Sequence, residues 1–401
     1  MFKRILWLHP VASRSLIVLL ALAFVLGGCS GRAKKIGEIE TMTGLGEAFH
    51  VLESAIEDSI FPGAQVALVR DNNMVIYRGF GRQTYNKKSP DISTRTIYDL
   101  ASVTKVVATT LTAMRLWEQG KLDLDAPVYR YLPDFRGAQK DSVTLRHLFT
   151  HSAGLHWWVD LWNKAETKDE ALAFIHELPL DYAPGDSMIY SDLGLILIGE
   201  ILEKVTGRQI DQLAAELVFS PLGMTDTQFN PSKTNLTRIA PTERGGSMNR
   251  GLIHGDVHDE NTHFLSGVST HAGLFSTVED LAALARVLIN GGEFGSVRLF
   301  SEGTLKYWTT HQNLPEGSNR ALGWLTPSSE NSSAGDYFSS SSFGHTGFTG
   351  TSIWVDPERK IAVVLLTNRV HPTRKRGGMH QVRRDFHNAI MKALFGDRVP
   401  S

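Results

Sequence analysis

The chain has 401 residues, of which 42% are hydrophobic and 21% are charged. This is the composition of an ordinary globular protein, so disorder is not the default expectation, and the length allows one large domain or two. The formal net charge of −1 argues against a nucleic-acid partner bound through its phosphates.

The N-terminus differs from the rest of the chain. Basic residues precede an apolar run at 16–26, which is too short to span a bilayer comfortably and is typical of a signal peptide. The run leads into Gly-Gly-Cys29-Ser30, which resembles a bacterial lipoprotein processing site. Cys29 is the only cysteine, so an internal disulfide is excluded. The alternative is a signal anchor that is never cleaved.

We therefore expect residues 1–29 to be a lipoprotein signal peptide with Cys29 lipidated, and residues 30–43 to be a polar tether. Two acyl chains on one cysteine give stable membrane anchoring. The predicted location is the bacterial cell envelope, with Ser30 favouring the outer membrane and the remaining chain facing the periplasm.

The apolar periodicity predicts strands near both ends of residues 44–397 and helices between them. The predicted elements are, in chain order, a helix at 51–60, a hairpin of strands 63–69 and 74–81, a helix at 102–119 with Gly120 as its stop, a helix at 193–205, a helix from a capping box at Ser276 to 290, strands 351–355 and 361–367, and a helix at 379–394. A serine-rich segment at 328–342 is predicted to be a mobile loop.

This order predicts an α+β fold. An antiparallel sheet would be built from both termini, over about 44–110 and 265–397, with a mainly helical part inserted at about 111–264. The start of the helix at 102 would then lie at the seam between the two parts, which is a usual place for a pocket.

A Ser-x-x-Lys tetrad, Ser102 to Lys105, opens the first long predicted helix after the hairpin. Residues i and i+3 share one helix face, so the lysine amine should lie beside the serine hydroxyl. A serine becomes a good nucleophile when a neighbouring base takes its proton, and the apolar run at 106–108 should lower the pKa of Lys105 enough for a neutral amine. The alternative is an ordinary N-cap serine with a lysine that extends to solvent.

Tyr190-Ser191-Asp192 stands before the apolar helix predicted at 193–205. Tyr190 could share the proton relay with Lys105 if the lysine stabilises its phenolate. Asp192 could hydrogen-bond Lys105 or a substrate amide, or merely cap the helix.

His345-Thr346-Gly347 lies in a glycine-rich stretch that ends at Gly350. Glycines at this density in a strand suggest that a ligand approaches the backbone closely. The N–H groups of Phe348 and Ser102 would then form a two-donor oxyanion hole. The alternative is a plain glycine-rich hairpin.

Together, the three motifs in this order resemble those of the β-lactamase-related, penicillin-binding-protein-like serine hydrolases. Segments at 145–155, 221–224 and 267–276 are also similar to that family, and the resemblance covers about residues 48–395. It is closest to the penicillin-binding protein 4B group and to class C β-lactamase-like esterases and peptidases. The resemblance implies a β-lactamase/transpeptidase-like fold in which Ser102 is acylated, Lys105 and Tyr190 are the general bases, and His345, Thr346 and Gly347 form the substrate-binding strand.

The chain departs from the family pattern at two positions. His345 stands where lysine is common and Asp192 where asparagine is usual. Histidine is only partly charged near neutral pH, so the permanent cation that would hold a substrate carboxylate is missing. We expect Arg369, at the end of the strand 361–367, to bind that carboxylate with help from His345, because a guanidinium bonds both oxygens. The alternative is a surface arginine.

The sequence therefore predicts a serine hydrolase that acts through an acyl-enzyme on D-amino-acid peptides of peptidoglycan or on small esters and amides. Two alternatives stay open: a sensor that binds cell-wall peptides or β-lactams with little or no turnover, and a β-lactamase. The expected partners are such a substrate and, through the N-terminal lipid, a membrane; nucleic acid is not expected, and oligomeric state is not predicted.

Neither a cofactor nor a metal is expected. The histidines and aspartate that crowd residues 254–263 are interpreted as loop structure because Gly255 disfavours the helix that a His pair would need. His147 and His151 flank apolar residues and are interpreted as structural, with their hydrogen bonds satisfied.

Overall fold

A computed structural model describes residues 44–71 and 74–396. The predicted signal peptide, Cys29 and the tether lie outside the described residues. The strands are β1 (Gly63–Arg70), β2 (Met74–Gly81), β3 (Tyr98–Asp99), β4 (Gln228–Phe229), β5 (Leu274–Ser276), β6 (Glu293–Phe294), β7 (Val297–Arg298), β8 (Phe343–Thr346), β9 (Ser352–Asp356) and β10 (Ile361–Thr367). Across residues 44–71 and 74–396, no helix combines the length and apolar composition needed to cross a bilayer.

The α-helices are α1 (Gly46–Glu57), α2 (Leu111–Glu118), α3 (Leu145–Phe149), α4 (Lys168–Glu177), α5 (Asp192–Thr206), α6 (Ile210–Ala214), α7 (Glu260–Phe264), α8 (Val278–Ile289), α9 (Glu302–Thr309) and α10 (Met379–Phe395). Short 3₁₀ turns and wider helical turns join several of them. Among these, Ala101–Val103 and Lys105–Thr110 lead into α2.

The main sheet has five antiparallel strands in the order β2-β1-β10-β9-β8. Val66 of β1 stands opposite Leu365 of β10, and His345 of β8 stands opposite Ile353 of β9. Both faces of the sheet are covered, which explains why β10 is an unbroken apolar run. The predicted sheet built from the two ends of the domain is confirmed.

Two cores lie on opposite faces of this sheet. Helices α1 and α10 cover one face, where Phe49 and Phe386 pack with alternate residues of β10. Helix α8 covers the other face, in a core that continues into the helical segments between β3 and β5. The predicted α+β class is therefore confirmed.

Several predicted boundaries shift by a few residues. The first helix spans 46–57 rather than 51–60. Helix α8 is capped by Thr277, whose side chain accepts from the N–H of Asp280, rather than by Ser276. The serine-rich segment predicted to be mobile forms no helix or strand, but Arg384 of α10 donates to Asp336 within it at 2.8 Å.

The segment that carries the Ser-x-x-Lys tetrad is helical throughout but is not one uniform α-helix. Ala101 has a left-handed φ of +46°, which is unusual for a residue with a side chain, and its N–H donates to Asp99 at 2.8 Å. This sharp turn sets Ser102 at the start of the helical segment. Gly120, with a φ of +72°, donates to the carbonyl of Trp117 and ends it, as predicted.

Candidate active site

Ser102 lies in a cavity of about 500 Å³ between the helical segments and the β8 edge of the main sheet. The predicted site residues that line this cavity are Ser102, Tyr190, His345, Thr346, Gly347, Phe348 and Arg369. Lys105 and Asp192 are not among the lining residues and lie behind Ser102. Three motifs that are far apart in the sequence therefore meet at one site.

Lys105 is 1% exposed and reaches three acceptors. Its Nζ donates to Ser102 Oγ at 2.9 Å and to the carbonyl of His271 at 2.9 Å, and it lies 2.7 Å from Asp192 Oδ1. An ammonium has three N–H donors and a neutral amine has two, so this environment suits the charged form.

The net pKa shift of Lys105 is opposite in sign to the one that burial alone would cause. Burial on its own lowers the pKa of Lys105, but Asp192 and then Tyr190 raise it, and the net shift is upward. The helix cap is Ser191, whose side chain accepts from the N–H of Gly194. Asp192 is thus the counter-ion of Lys105, and Ser191 rather than Asp192 caps the helix.

Tyr190 lies between β8 and the helical segment that carries Ser102 and Lys105. Its ring centre lies 4.9 Å from Lys105 Nζ, 4.6 Å from the ring of His151 and 6.0 Å from the ring of His345. Its buried hydroxyl has no hydrogen-bond partner among residues 44–71 and 74–396. Tyr190 lines the cavity, and a hydroxyl without a partner is free to exchange a proton with a reacting group.

The surroundings of His345, which we expect to help Arg369 bind a carboxylate, disfavour a charged imidazolium. It is 2% exposed, and burial, then Arg320 and Lys105, hold its pKa well below the usual value. Its Nδ1 donates to the carbonyl of Thr346 at 2.9 Å, which leaves Nε2 as an acceptor. His345 can therefore accept a hydrogen bond but supplies no cation.

The turn after β8 is held against the turn that carries Ser102. Thr349 Oγ1 donates to the carbonyl of Asp99 and Thr351 Oγ1 donates to that of Leu100, both at 2.8 Å. Gly347 packs so closely on Leu100 and Thr351 that a Cβ would collide with both. This is the close backbone approach that the glycine-rich stretch predicts, although the neighbour is the Ser102 turn.

Four arginines line the cavity: Arg320, Arg369, Arg376 and Arg383. No Asp or Glu of the described residues lines it. Arg320 and Arg383 are each 7% exposed, and neither forms an ion pair with a carboxylate in the described ranges. Burial lowers the pKa of Arg320 to about 10, and burial together with Arg369 lowers the pKa of Arg383 to about 9. Both stay charged at neutral pH.

Sequence reasoning missed Arg320 and Arg383 because neither belongs to a motif. Arg320 precedes Ala-Leu-Gly-Trp in an irregular segment, and Arg383 stands beside Arg384 in a helix with many charges. Only the fold brings them to the cavity. His151 was also misjudged, because it packs on Tyr190 and its buried Nε2 has no partner among the described residues.

The candidate metal ligands at 254–263 go to separate partners. His254 contacts the carbonyls of Leu236 and Ile239, and His258 contacts Glu243. Asp259, Asp192 and His271 do place ligand-type atoms within 4.8 Å of one another. Asp192 is already paired with Lys105, and Asp259 lies at hydrogen-bond distance from His271 Nε2, at 2.8 Å. An ion pair and a hydrogen bond therefore explain these contacts.

Known proteins resemble this chain in sequence or in fold over most of its length. A family model described as "Beta-lactamase" matches residues 50–388. A protein of Escherichia coli O157:H7 named "Putative D-alanyl-D-alanine carboxypeptidase" is 35% identical over 353 residues, which cover 78% of this chain and 80% of that protein.

Solved structures with low sequence identity share the fold. EstCE1, described as a hydrolase with promiscuous acyltransferase activity, has a TM-score of 0.70 at 23% identity and covers 89% of this chain and 100% of its own. A penicillin-binding protein homologue from Caulobacter crescentus has a TM-score of 0.69 at 22% identity and covers 88% and 97%.

Proposed function

The chain belongs to the β-lactamase family of serine hydrolases, and from this we propose that it cleaves carboxylate-bearing peptides that end in D-amino acids, or small esters, through an acyl-enzyme on Ser102. The observation that carries the proposal is the cavity itself. It presents Ser102 and Tyr190 next to four arginines and no acidic side chain of the described residues.

Tyr190 is the proton acceptor in this proposal, with Lys105 as its electrostatic partner. The Lys105 ammonium is already protonated, so it has no lone pair with which to take a proton. Its Nζ donates to Ser102 Oγ and to the carbonyl of His271, and it lies 2.7 Å from Asp192 Oδ1. Tyr190, as the phenolate, takes the proton of Ser102 Oγ, and the Lys105 ammonium stabilises the alkoxide that forms at 2.9 Å. In this proposal Lys105 remains essential, but it stabilises negative charge as a cation and does not act as the general base.

The alkoxide then attacks the substrate carbonyl. The developing oxyanion accepts hydrogen bonds from the N–H groups of Ser102 and Phe348, a pair of donors of the kind that contributes about 3–4 kcal/mol each. Tyr190 returns its proton to the leaving amine or alcohol as the bond to the carbonyl carbon breaks. In the second half, Tyr190 takes a proton from a water molecule whose oxygen attacks the ester carbonyl. Tyr190 gives that proton to Ser102 Oγ as the acyl–serine bond breaks, which releases the acid and restores both residues.

The charge of the cavity supports a carboxylate on the substrate. Arg369 lines the cavity; its Nε donates to the carbonyl of Phe348 at 2.7 Å and its Nη1 to that of Arg376 at 3.1 Å. These bonds fix the guanidinium at the mouth of the site, where it can bind a carboxylate. The name of the E. coli relative is consistent with a peptide that ends in a free carboxylate.

A substrate panel tests the proposed activity. Wild type and Ser102→Ala would be assayed with an N-acyl D-Ala-D-Ala peptide, an uncharged p-nitrophenyl ester and penicillin G. We expect turnover of the peptide or the ester by the wild type and none by Ser102→Ala. A stable penicilloyl adduct without turnover of any substrate would identify a sensor, rapid penicillin hydrolysis a β-lactamase, and no reaction with any compound would reject the proposal.

We further propose that Cys29 carries a lipid that anchors the protein in the bacterial envelope, with its active site in the periplasm. The Gly-Gly-Cys-Ser sequence at the end of the apolar run supports this. Cys29→Ser should release the protein into the soluble periplasmic fraction or leave it unprocessed, as checked by fractionation and N-terminal mass spectrometry. Unchanged membrane association without a lipid on the mature N-terminus would contradict the proposal.

A further inference from the structure

Tyr190 has a second cation beside its ring. The guanidinium carbon of Arg320 lies 5.2 Å from the ring centre, compared with 4.9 Å for Lys105 Nζ. Arg320 is 7% exposed, and its Nε and Nη1 have no hydrogen-bond partner among the described residues. A buried, unpaired guanidinium is unfavourable unless a negative charge forms next to it.

The other groups around Tyr190 do not provide that negative charge. His151 and His345 pack on the ring, and burial holds the pKa of both well below the usual value, so both are neutral. Asp192, which follows Tyr190 closely in the chain, is paired with Lys105. The positive charge of Lys105 is therefore offset, whereas that of Arg320 faces Tyr190 without a carboxylate.

The fold holds Arg320 firmly in this position. It starts a turn that ends at Leu325, and Leu325 pairs with Gly344, next to His345. Within the turn, the N–H of Gly323 donates to the carbonyl of Phe149 at 2.9 Å. Gly323 also packs directly on Thr110, in the helical segment that carries Ser102. A Cβ added at Gly323 would collide with the Thr110 side chain. The turn is thus fixed to both elements that frame Tyr190.

We propose that Arg320 is a positioning residue that stabilises negative charge on Tyr190 while Tyr190 takes the proton of Ser102. Arg320 thereby supplies, from outside the three motifs, the permanent cation that the third motif lacks because it begins with histidine. The inference rests on the proposed acyl-transfer function. It differs from a carboxylate-binding role because it predicts an effect on substrates that carry no charge.

A double-mutant cycle on the uncharged p-nitrophenyl ester tests the proposal. Arg320→Gln should lower kcat/KM by about ten- to a hundredfold, the range for losing one nearby charge in a site of intermediate dielectric. The acidic limb of its pH profile should move to higher pH, because negative charge on the proton acceptor then lacks one neighbouring cation. In a Tyr190→Phe background the same change should have little further effect, since the group that Arg320 stabilises is gone.

Three further variants complete the design. Arg320→Lys keeps the charge and should retain most of the activity and the wild-type pH profile. Arg320→Met keeps an unbranched stem without a buried amide, so it replaces the glutamine if that variant does not fold. Arg376→Gln removes a charge from the same cavity beside Tyr85 rather than Tyr190, and should leave the acidic limb in place.

Two results would overturn the inference. One is an equal loss from Arg320→Gln in the wild-type and Tyr190→Phe backgrounds. The other is an unmoved acidic limb together with a loss confined to carboxylate-bearing esters, which would make Arg320 a substrate ligand. Wild type that turns over neither the ester nor the D-Ala-D-Ala peptide would instead reject the proposed function, and the cycle is run on the peptide if only the peptide is turned over. The two failures are therefore distinguishable.

Discussion

Arg369 is part of the frame of the site, and we propose that it also binds the carboxylate of the substrate. Its Nε and Nη1 bind backbone carbonyls, and its guanidinium carbon lies 4.4 Å from the ring centre of Phe348. Phe348 is 48% exposed, so this pair forms part of the accessible wall of the cavity. Burial, followed by Arg374, lowers the pKa of Arg369, but an arginine remains charged in this environment.

We predict that Arg369→Gln weakens the reaction of carboxylate-bearing substrates only. The expected loss is about 1.5–3 kcal/mol in kcat/KM, the usual contribution of a hydrogen bond to a charged group. The measurement compares an ester that carries a carboxylate with its neutral amide-capped analogue in wild type and variant. An equal effect on the two substrates, or no effect, would reject the role.

Residue spacing alone predicts which side chains meet but not their charge states. The i, i+3 spacing correctly predicts the contact of Lys105 with Ser102. The sign of the pKa shift depends on Asp192, which comes from a different element and outweighs the effect of burial. Likewise, nothing local to His345 in the sequence indicates that burial and then Arg320 lower its pKa.

At the scale of elements, the site depends on the close packing of the turn after β8 on the turn that carries Ser102. Gly347 is the point of contact, because a Cβ there would meet the carbonyl of Leu100 and the hydroxyl of Thr351. Both neighbours are fixed to each other by a hydrogen bond of 2.8 Å. Neither can move away without separating the two turns.

Gly347→Ala should therefore displace the third motif from Ser102. We expect a fall of more than about tenfold in ester turnover and a loss of about 1–3 kcal/mol in the free energy of unfolding, as for other overpacked sites. Gly303→Ala is the matched control, because no atom lies within 4 Å of a Cβ added at that position in α9. It should keep full activity and leave stability unchanged or slightly raised. Normal turnover by Gly347→Ala would contradict the tight contact.

Element types follow well from the sequence, and element boundaries follow less well. The hairpin at 63–81 and the strand at 361–367 stand where apolar periodicity and turn residues indicate them. The helical segment after Ser102 is a 3₁₀ turn, a wider turn and an α-helix in succession, which periodicity cannot distinguish. The short turn that carries Arg320 has no periodic signal, so its contact with the site had to come from the tertiary fold.

At the scale of the whole molecule, buried histidines in the sheet-and-helix core link stability to pH. His387 of α10 is buried against Phe338 and donates from Nδ1 to the carbonyl of Ser333 at 2.9 Å. Burial lowers its pKa to about 4, against 6.5 for the free side chain. As pH falls below 6.5, the unfolded chain binds a proton that the folded chain does not, so stability decreases until about pH 4.

We predict that this single group accounts for a loss on the order of 3 kcal/mol in the free energy of unfolding across that window. His387→Asn keeps a donor near Nδ1 but does not titrate, so its stability should fall less steeply between pH 6.5 and 4. Urea unfolding at several pH values measures the slope. The same change at exposed His50 is the control, and equal slopes for wild type and His387→Asn would contradict the prediction.

The whole fold also explains why the active site lies where it does. The main sheet joins both ends of the described domain, and the helical segments come between them in sequence. The first part of the chain contributes the turn that carries Ser102, the middle part contributes Tyr190, and the last part contributes His345-Thr346-Gly347 of β8 and the turn after it. The site exists only when these parts assemble, so its chemistry reports on the complete domain.

The most direct test of the account is to identify the residue that becomes acylated. Wild type would be treated with a fluorophosphonate, and the adduct would be located by mass spectrometry of the intact protein and its peptides. We predict one adduct, on the peptide that contains Ser102, and none in Ser102→Ala. An adduct on a different serine, or unchanged labelling of Ser102→Ala, would contradict the assignment of Ser102 as the nucleophile.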